Sequence, residues 1–186
     1  MKSKLIIGLF LCLSFTQIIT PLSMIAKRES VLKNGKQFKF KTEPVDPYDA
    51  FRGRYVALRL EENYVPAVKE IKLSRGQTVY ALITTDNQDF ARFTAVAAAK
   101  PPDKPYIQTK VLYVTGDKVY LDLPIDRYYM EETAAPAAER MYQKHAQRGA
   151  QDAYVMVRIQ DGFAVIESLY VGAQTIEDAL RQERKR

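Results

Sequence analysis

The stretch from Leu5 to Ala26 constrains this chain more than any other feature. It is a run of 22 residues without a charge, twelve of them Leu, Ile or Phe. As a helix it extends about 33 Å at about 1.5 Å per residue, enough to cross the hydrocarbon core of a bilayer. The twelve large apolar side chains favour insertion by about 4 to 7 kcal/mol, and Gln17, Thr20 and Pro21 take part of that back. The primary reading is a retained signal-anchor, a transmembrane helix over 5–26. A cleaved signal peptide shares the basic start at Lys2 and Lys4 and the apolar stretch that follows, but needs a small-x-small cleavage site. Met24 stands two residues before Ala26, where the first small residue of such a site belongs. A buried helix of a soluble protein is the third reading. Lys2, Lys4 and the amino terminus favour the cytoplasmic side, and Lys27 and Arg28 on the other flank compete with them. The preferred orientation puts the rest of the chain outside the cytoplasm, which in a Gram-negative cell is the periplasm.

Cys12, the only cysteine, lies inside the apolar run behind Leu11, which does not suit a lipoprotein cleavage site. One cysteine excludes an intramolecular disulfide and a cysteine metal cluster. The chain has 186 residues, 47% of them hydrophobic, which suits one domain with a real core plus an appendage. The net charge is +6, but the Lys and Arg residues are scattered among 22 acids. A nucleic-acid binder concentrates its basic residues on one face or helix, so no nucleic-acid partner is expected. Attraction to anionic lipid headgroups is the plainer account of the excess.

Residues 27–36 are polar, contain the turn signal Asn34-Gly35 and read as a linker. From 37 to 173 the pattern is mostly that of strands. Gln37–Lys41 alternates, with Phe38 and Phe40 on one face. In Arg54–Glu61, Val56, Leu58 and Leu60 share one face and Tyr55, Ala57 and Arg59 the other. Three hairpins are expected: 78–84 with 90–97 around Thr85-Asp86-Asn87-Gln88, 107–114 with 119–123 around Thr115-Gly116-Asp117-Lys118, and 154–159 with 163–171 through Gln160-Asp161-Gly162. One helix interrupts them near 133–148, with Thr133 as N-cap, Pro136 in the first turn and Gly149 as its stop. The tail 174–186 is basic and readable as a helix. The expected fold is therefore mainly β, a small barrel or sandwich of about eight strands with one inserted helix, behind the N-terminal membrane helix.

The side chains that carry common chemistries are sparse. His145 is the only histidine, so a His/Cys zinc site is excluded. Its plain reading is a helix-face residue near the negative end of that helix. Ser30, Ser74 and Ser168 lie in no nucleophile-elbow motif and have no lysine at telling spacing. The eight glycines form no phosphate-binding loop. Glu61-Glu62 and Glu131-Glu132 read as solvated ends of elements. No cofactor is expected, and the chain reads as non-enzymatic. The densest unusual stretch is Val45 to Leu58. Asp46 and Asp49 can accept from backbone amides in an Asx-type turn after Pro47, and Gly53 permits a positive φ or a close backbone approach. Arg52 either clamps that turn by pairing with Asp46 or Asp49, or binds an anion.

This stretch resembles the GDYXXLXY family, membrane-anchored bacterial proteins named for a motif that here reads Gly53-Arg54-Tyr55-Val56-Ala57-Leu58-Arg59-Leu60. Gly53, Tyr55 and Leu58 match; Arg54 stands at the acidic second position and Leu60 at the final tyrosine. Asp46-Pro47, Phe51 and Arg52 fit the family's lead-in. Asp126-Arg127-Tyr128-Tyr129-Met130-Glu131-Glu132 is similar to its Arg-aromatic-Tyr segment, and 155–171 to its closing hairpin. The resemblance implies a membrane-associated protein without established catalytic residues, thought of alongside multi-pass membrane proteins. It points to an accessory or interaction module of the cell envelope, with a multi-pass membrane protein as the partner and Asp46, Asp49, Arg52, Gly53, Tyr55, Leu58 and Arg127 as the candidate binding residues. Two alternatives remain: a small-ligand or anion-binding domain using Arg52, Arg54 and Arg127, and a cryptic hydrolase built on two close carboxylates or a Ser-Lys contact.

Overall fold

In the computed structural model, which describes residues 2–43, 55–67, 73–146 and 152–185, the apolar run lies within one continuous helix, α1, Lys2–Asn34. At about 1.5 Å per residue α1 is about 50 Å long. Pro21 lies inside it and leaves a gap in the backbone ladder. The hydroxyls of Thr16, Thr20 and Ser23 donate back to the carbonyls of Cys12, Thr16 and Thr20 at 2.9, 2.9 and 2.7 Å. Those polar groups are thus satisfied within the helix, as a segment surrounded by lipid requires. Residues 27–34, read above as linker, continue the helix. Lys27-Arg28-Glu29-Ser30-Val31-Leu32-Lys33 contains no helix breaker, and Val31 is buried against the domain.

Two five-stranded sheets and a two-stranded ribbon follow. The first sheet has the order β12-β11-β10-β1-β3, from β1 (Lys36–Glu43), β3 (Arg59–Leu60), β10 (Ala153–Gln160), β11 (Phe163–Val171) and β12 (Gln174–Thr175). The second has the order β4-β8-β7-β5-β6, from β4 (Tyr64–Pro66), β5 (Thr78–Thr85), β6 (Ala91–Ala97), β7 (Tyr106–Thr115) and β8 (Lys118–Asp122). The ribbon pairs β2 (Tyr55–Ala57) with β9 (Arg127–Tyr129). Among the described residues all the ladders are antiparallel, and the three expected hairpins are present. A parallel bridge, Lys39 to Phe90, joins the sheets on one side. The Gln108 N–H, donating to the Gly162 carbonyl at 2.9 Å, joins them on the other. The result is a nearly closed, barrel-like sheet.

Alternation accounts for its core. In β1, Phe38, Phe40 and Thr42 point inward, and in β10 Ala153, Val155, Val157 and Ile159 do so. They meet Val79, Ala81, Ile83, Ile107, Val111 and Leu121 of the other sheet, and Phe40 stacks on Phe93 with centroids 5.3 Å apart. Helix α2 (Ala135–Ala146) covers this core with Ala135, Ala138, Tyr142 and Ala146, and the Tyr142 hydroxyl donates to the Glu43 carbonyl at 2.7 Å. The expected cap Thr133 lies in a turn ahead of the helix, and Gly149 lies outside the described residues. The tail is part of the fold: Thr175 caps α3 (Ile176–Glu183), whose Ile176 and Leu180 are buried. The strands beyond the expected eight are pieces of two or three residues, too short to show a period.

Gly162 sits where the two sheets touch. Its φ is +78°, and a Cβ there would fall 2.5 Å from the Tyr106 ring. Gly162→Ala is expected to destabilise the protein by about 1 to 3 kcal/mol through overpacking and a disfavoured φ. Leu169→Ala, in the sealed centre of β11, is expected to cost about 2 to 5 kcal/mol. Urea denaturation of the full chain in mild detergent measures both.

Candidate functional site

The two motif segments singled out in the sequence are hydrogen-bonded to each other. In the β2–β9 ribbon, Tyr55 pairs with Tyr129, Val56 with Tyr128 and Ala57 with Arg127. On the outer face the Arg127 guanidinium lies over the Tyr55 ring, 5.3 Å from its centroid, and the Tyr55 and Tyr129 rings meet edge to face at 5.6 Å. Arg127 Nε also reaches Asp126 Oδ2 at 3.3 Å. A hydrogen bond with Tyr129 raises the Arg127 pKa above its ordinary value, and the Asp126 charge adds to this. On the inner face Val56 and Leu58 are buried, and the Leu58 N–H donates to the Asp126 carbonyl at 2.9 Å. Tyr128 points to the tail helix, its hydroxyl donating to Glu177 Oε1 at 2.7 Å; burial, and then the Glu177 carboxylate, push its pKa up.

Tyr55, Leu58 and Arg127 thus converge on one ribbon: Leu58 faces the core, and Tyr55 and Arg127 face outward. Asp46, Asp49, Arg52, Gly53 and Arg54 lie outside the described residues. His145 is in the last turn of α2, where its Nδ1 lies 2.9 Å from Asp152 Oδ1. Among the described residues no three of His, Cys, Asp and Glu gather as metal ligands would.

A second constellation escaped the sequence reading. Only Gly35 separates α1 from β1. Its N–H donates to the Val31 carbonyl at 2.8 Å, closing the helix. Its own carbonyl accepts from Arg158 Nη1 at 3.2 Å. The same guanidinium holds Glu167 with two bonds, Nε to Oε2 at 2.9 Å and Nη2 to Oε1 at 3.0 Å. Gln37 donates to Glu167 Oε2 at 2.8 Å. A Cβ at residue 35 would lie 2.5 Å from the Val31 carbonyl oxygen and 3.1 Å from the Ile159 nitrogen, so glycine is what lets the helix end approach the sheet this closely. The planar fork of arginine suits the task, because it meets a carboxylate with two parallel bonds and has a donor left for a carbonyl. The only sequence trace of this clamp is that Arg158 and Glu167 stand near each other across the expected 154–171 hairpin; a register shift after Met156 sets their diagonal contact.

Arg158, with help from Gln37, holds the Glu167 carboxyl below the usual glutamate value. A carboxylate with a lower pKa folded than unfolded binds fewer protons in the folded state. Its contribution is therefore present at neutral pH and is lost as pH falls through the depressed folded value. Glu167→Gln is expected to lower stability at neutral pH by about 1 to 3 kcal/mol. Its deficit against the unsubstituted chain should shrink as the pH is taken down from about 4.5, as read from urea midpoints across a pH series.

The family model described as GDYXXLXY protein matches residues 17–169. No curated protein and no solved structure matches the chain.

Proposed function

The chain belongs to the GDYXXLXY family, and we propose that it works as a membrane-anchored, non-enzymatic interaction module of the cell envelope. In this reading α1 spans the bilayer, the β domain lies outside the cytoplasm, and the partner is a multi-pass membrane protein that packs on α1. The observation that carries the proposal is the join between helix and domain. One helix long and apolar enough to cross a membrane lies at the N-terminus, with none of its apolar window buried inside the chain. Gly35 and the Arg158–Glu167 pair hold it to the sheet with no slack. A tether meant only to keep a domain near a membrane gains nothing from such a joint. A module that must present its domain at a set angle to a partner in the bilayer needs one. Lys2 and Lys4 before the span support the outward orientation.

The anion-binding alternative has less support. Arg127, the one of its three arginines within the described residues, already lies over Tyr55 and against Asp126, which is how a structural arginine is satisfied.

The test is purification of the intact chain from membranes in mild detergent, beside a variant in which residues 5–26 are all leucine. Polyleucine keeps the span and removes the side-chain pattern a partner helix would read. A stoichiometric multi-pass companion present with the native segment and absent with polyleucine is the expected result. A companion kept by both variants would move the contact to the β domain, and no companion with either would end the proposal.

A further inference from the structure

The end of the β domain nearest to α1 has its own chemistry. Lys27 is the first charge after the apolar run, and its Nζ lies 4.4 Å from the centre of the Phe163 ring. Phe163 opens β11 just after the Asp161-Gly162 turn and is 39% exposed, whereas Phe38, Phe40 and Phe93 are buried. Next to it, Lys100 Nζ pairs with Asp161 Oδ1 at 3.2 Å. Lys36, Lys100 and Lys104 line one open cleft of about 420 Å³, whose floor includes the Pro101–Pro105 loop. Lys36, Lys100 and Lys104 thus share this cleft with Asp103 and Asp161, and Lys27 stands beside it on Phe163.

We propose that this edge is a foot that rests on anionic lipid headgroups, with Phe163 set into the interface and Lys27, Lys100 and Lys104 on the phosphates. The inference rests on the reading of α1 as a membrane span. Given that span, the depth follows from geometry. Lys27 directly follows Ala26, the last residue of the uncharged run, and a lysine side chain reaches the headgroup layer at such a position. Phe163 is in contact with that ammonium group, so it lies within one side-chain length of the same layer. A ring beside lysines is the composition that holds a surface at an anionic interface. The joint at Gly35 fixes the distance between span and edge, so the foot meets the bilayer whenever α1 is inserted.

The chain contains no tryptophan, so a single introduced one reports its own surroundings. Full-length Phe163→Trp, Phe15→Trp and Tyr113→Trp would be placed in phosphatidylcholine vesicles with and without phosphatidylglycerol, using lipids brominated either near the headgroup or deep in the acyl chain. The expected result is quenching of Phe15→Trp by deep bromines, of Phe163→Trp by shallow bromines and more strongly with phosphatidylglycerol, and of Tyr113→Trp by neither. Lys100→Gln with Lys104→Gln, its fold checked by circular dichroism, should reduce the Phe163→Trp signal in anionic vesicles to the level in phosphatidylcholine alone. If Phe15→Trp is quenched and Phe163→Trp matches Tyr113→Trp, the foot is wrong and the span stands. Equal shallow quenching with and without phosphatidylglycerol overturns the anionic preference. If Phe15→Trp escapes quenching, the span itself fails, and the foot with it.

Discussion

A single residue separates the long helix from the first strand, and the placement of the whole domain follows from that. Gly35 closes α1 through the Val31 carbonyl and offers its own carbonyl to Arg158, while the strand that begins at Lys36 is already paired with β10. With no free segment at the joint, the helix direction and the sheet direction are coupled. The Arg158 guanidinium is also bonded twice to Glu167, which Gln37 holds from the other side. Arginine, glutamate, glutamine and the helix end form one network of charge-assisted bonds, and such networks are rigid because each member limits the others.

The tyrosines show how the outer surface is organised. Most lie on outward faces and meet a partner there. Tyr154 stacks on Tyr170 at 4.8 Å with Lys39 over its ring, and Tyr120 stacks on Tyr113 at 4.4 Å and meets Tyr64, which lies under Lys118. Tyr55 meets Tyr129 beneath Arg127. Cross-strand pairs of this kind support a sheet from its wet side. Tyr142 and Tyr128 instead tie helices to the barrel through Glu43 and Glu177. A tyrosine-rich, tryptophan-free composition thus serves the structure as well as any contact face, and the exposed rings of Tyr113 and Tyr129 are what it leaves over.

Much of the fold was legible in the residues because local patterns and tertiary demands agree. The hairpins at 85–88, 115–118 and 160–162 follow from turn residues between alternating strands. The buried set Val56, Leu58 and Leu60 follows from period two, and α2 follows from the 3.6-residue spacing of Ala138, Tyr142 and their neighbours. Of the candidate site, Tyr55 and Arg127 were each visible as motif residues, but their meeting was not. They are 72 positions apart, and only the β2–β9 pairing brings them together. The reading of 27–36 as a linker gave way for a related reason. Polar residues next to an apolar helix look like an exit from it, yet they prolong the helix where the apolar Val31 among them finds a surface to pack on.

What the sequence determined alone is the chain's division of labour. An uncharged run long enough for a bilayer, alternating strands with turn residues between them, and one amphipathic helix depend on neighbours within a few residues, and short-range physics settles them. Tertiary structure decided that the sheets nearly close into a barrel, that the tail caps Tyr128 rather than hanging free, and that the long N-terminal helix is locked to the domain. Those outcomes depend on which strand edges meet and on where an arginine fork finds both a carboxylate and a helix-end carbonyl. Such contacts between distant residues form only once the core has fixed the distances, and no local pattern encodes them.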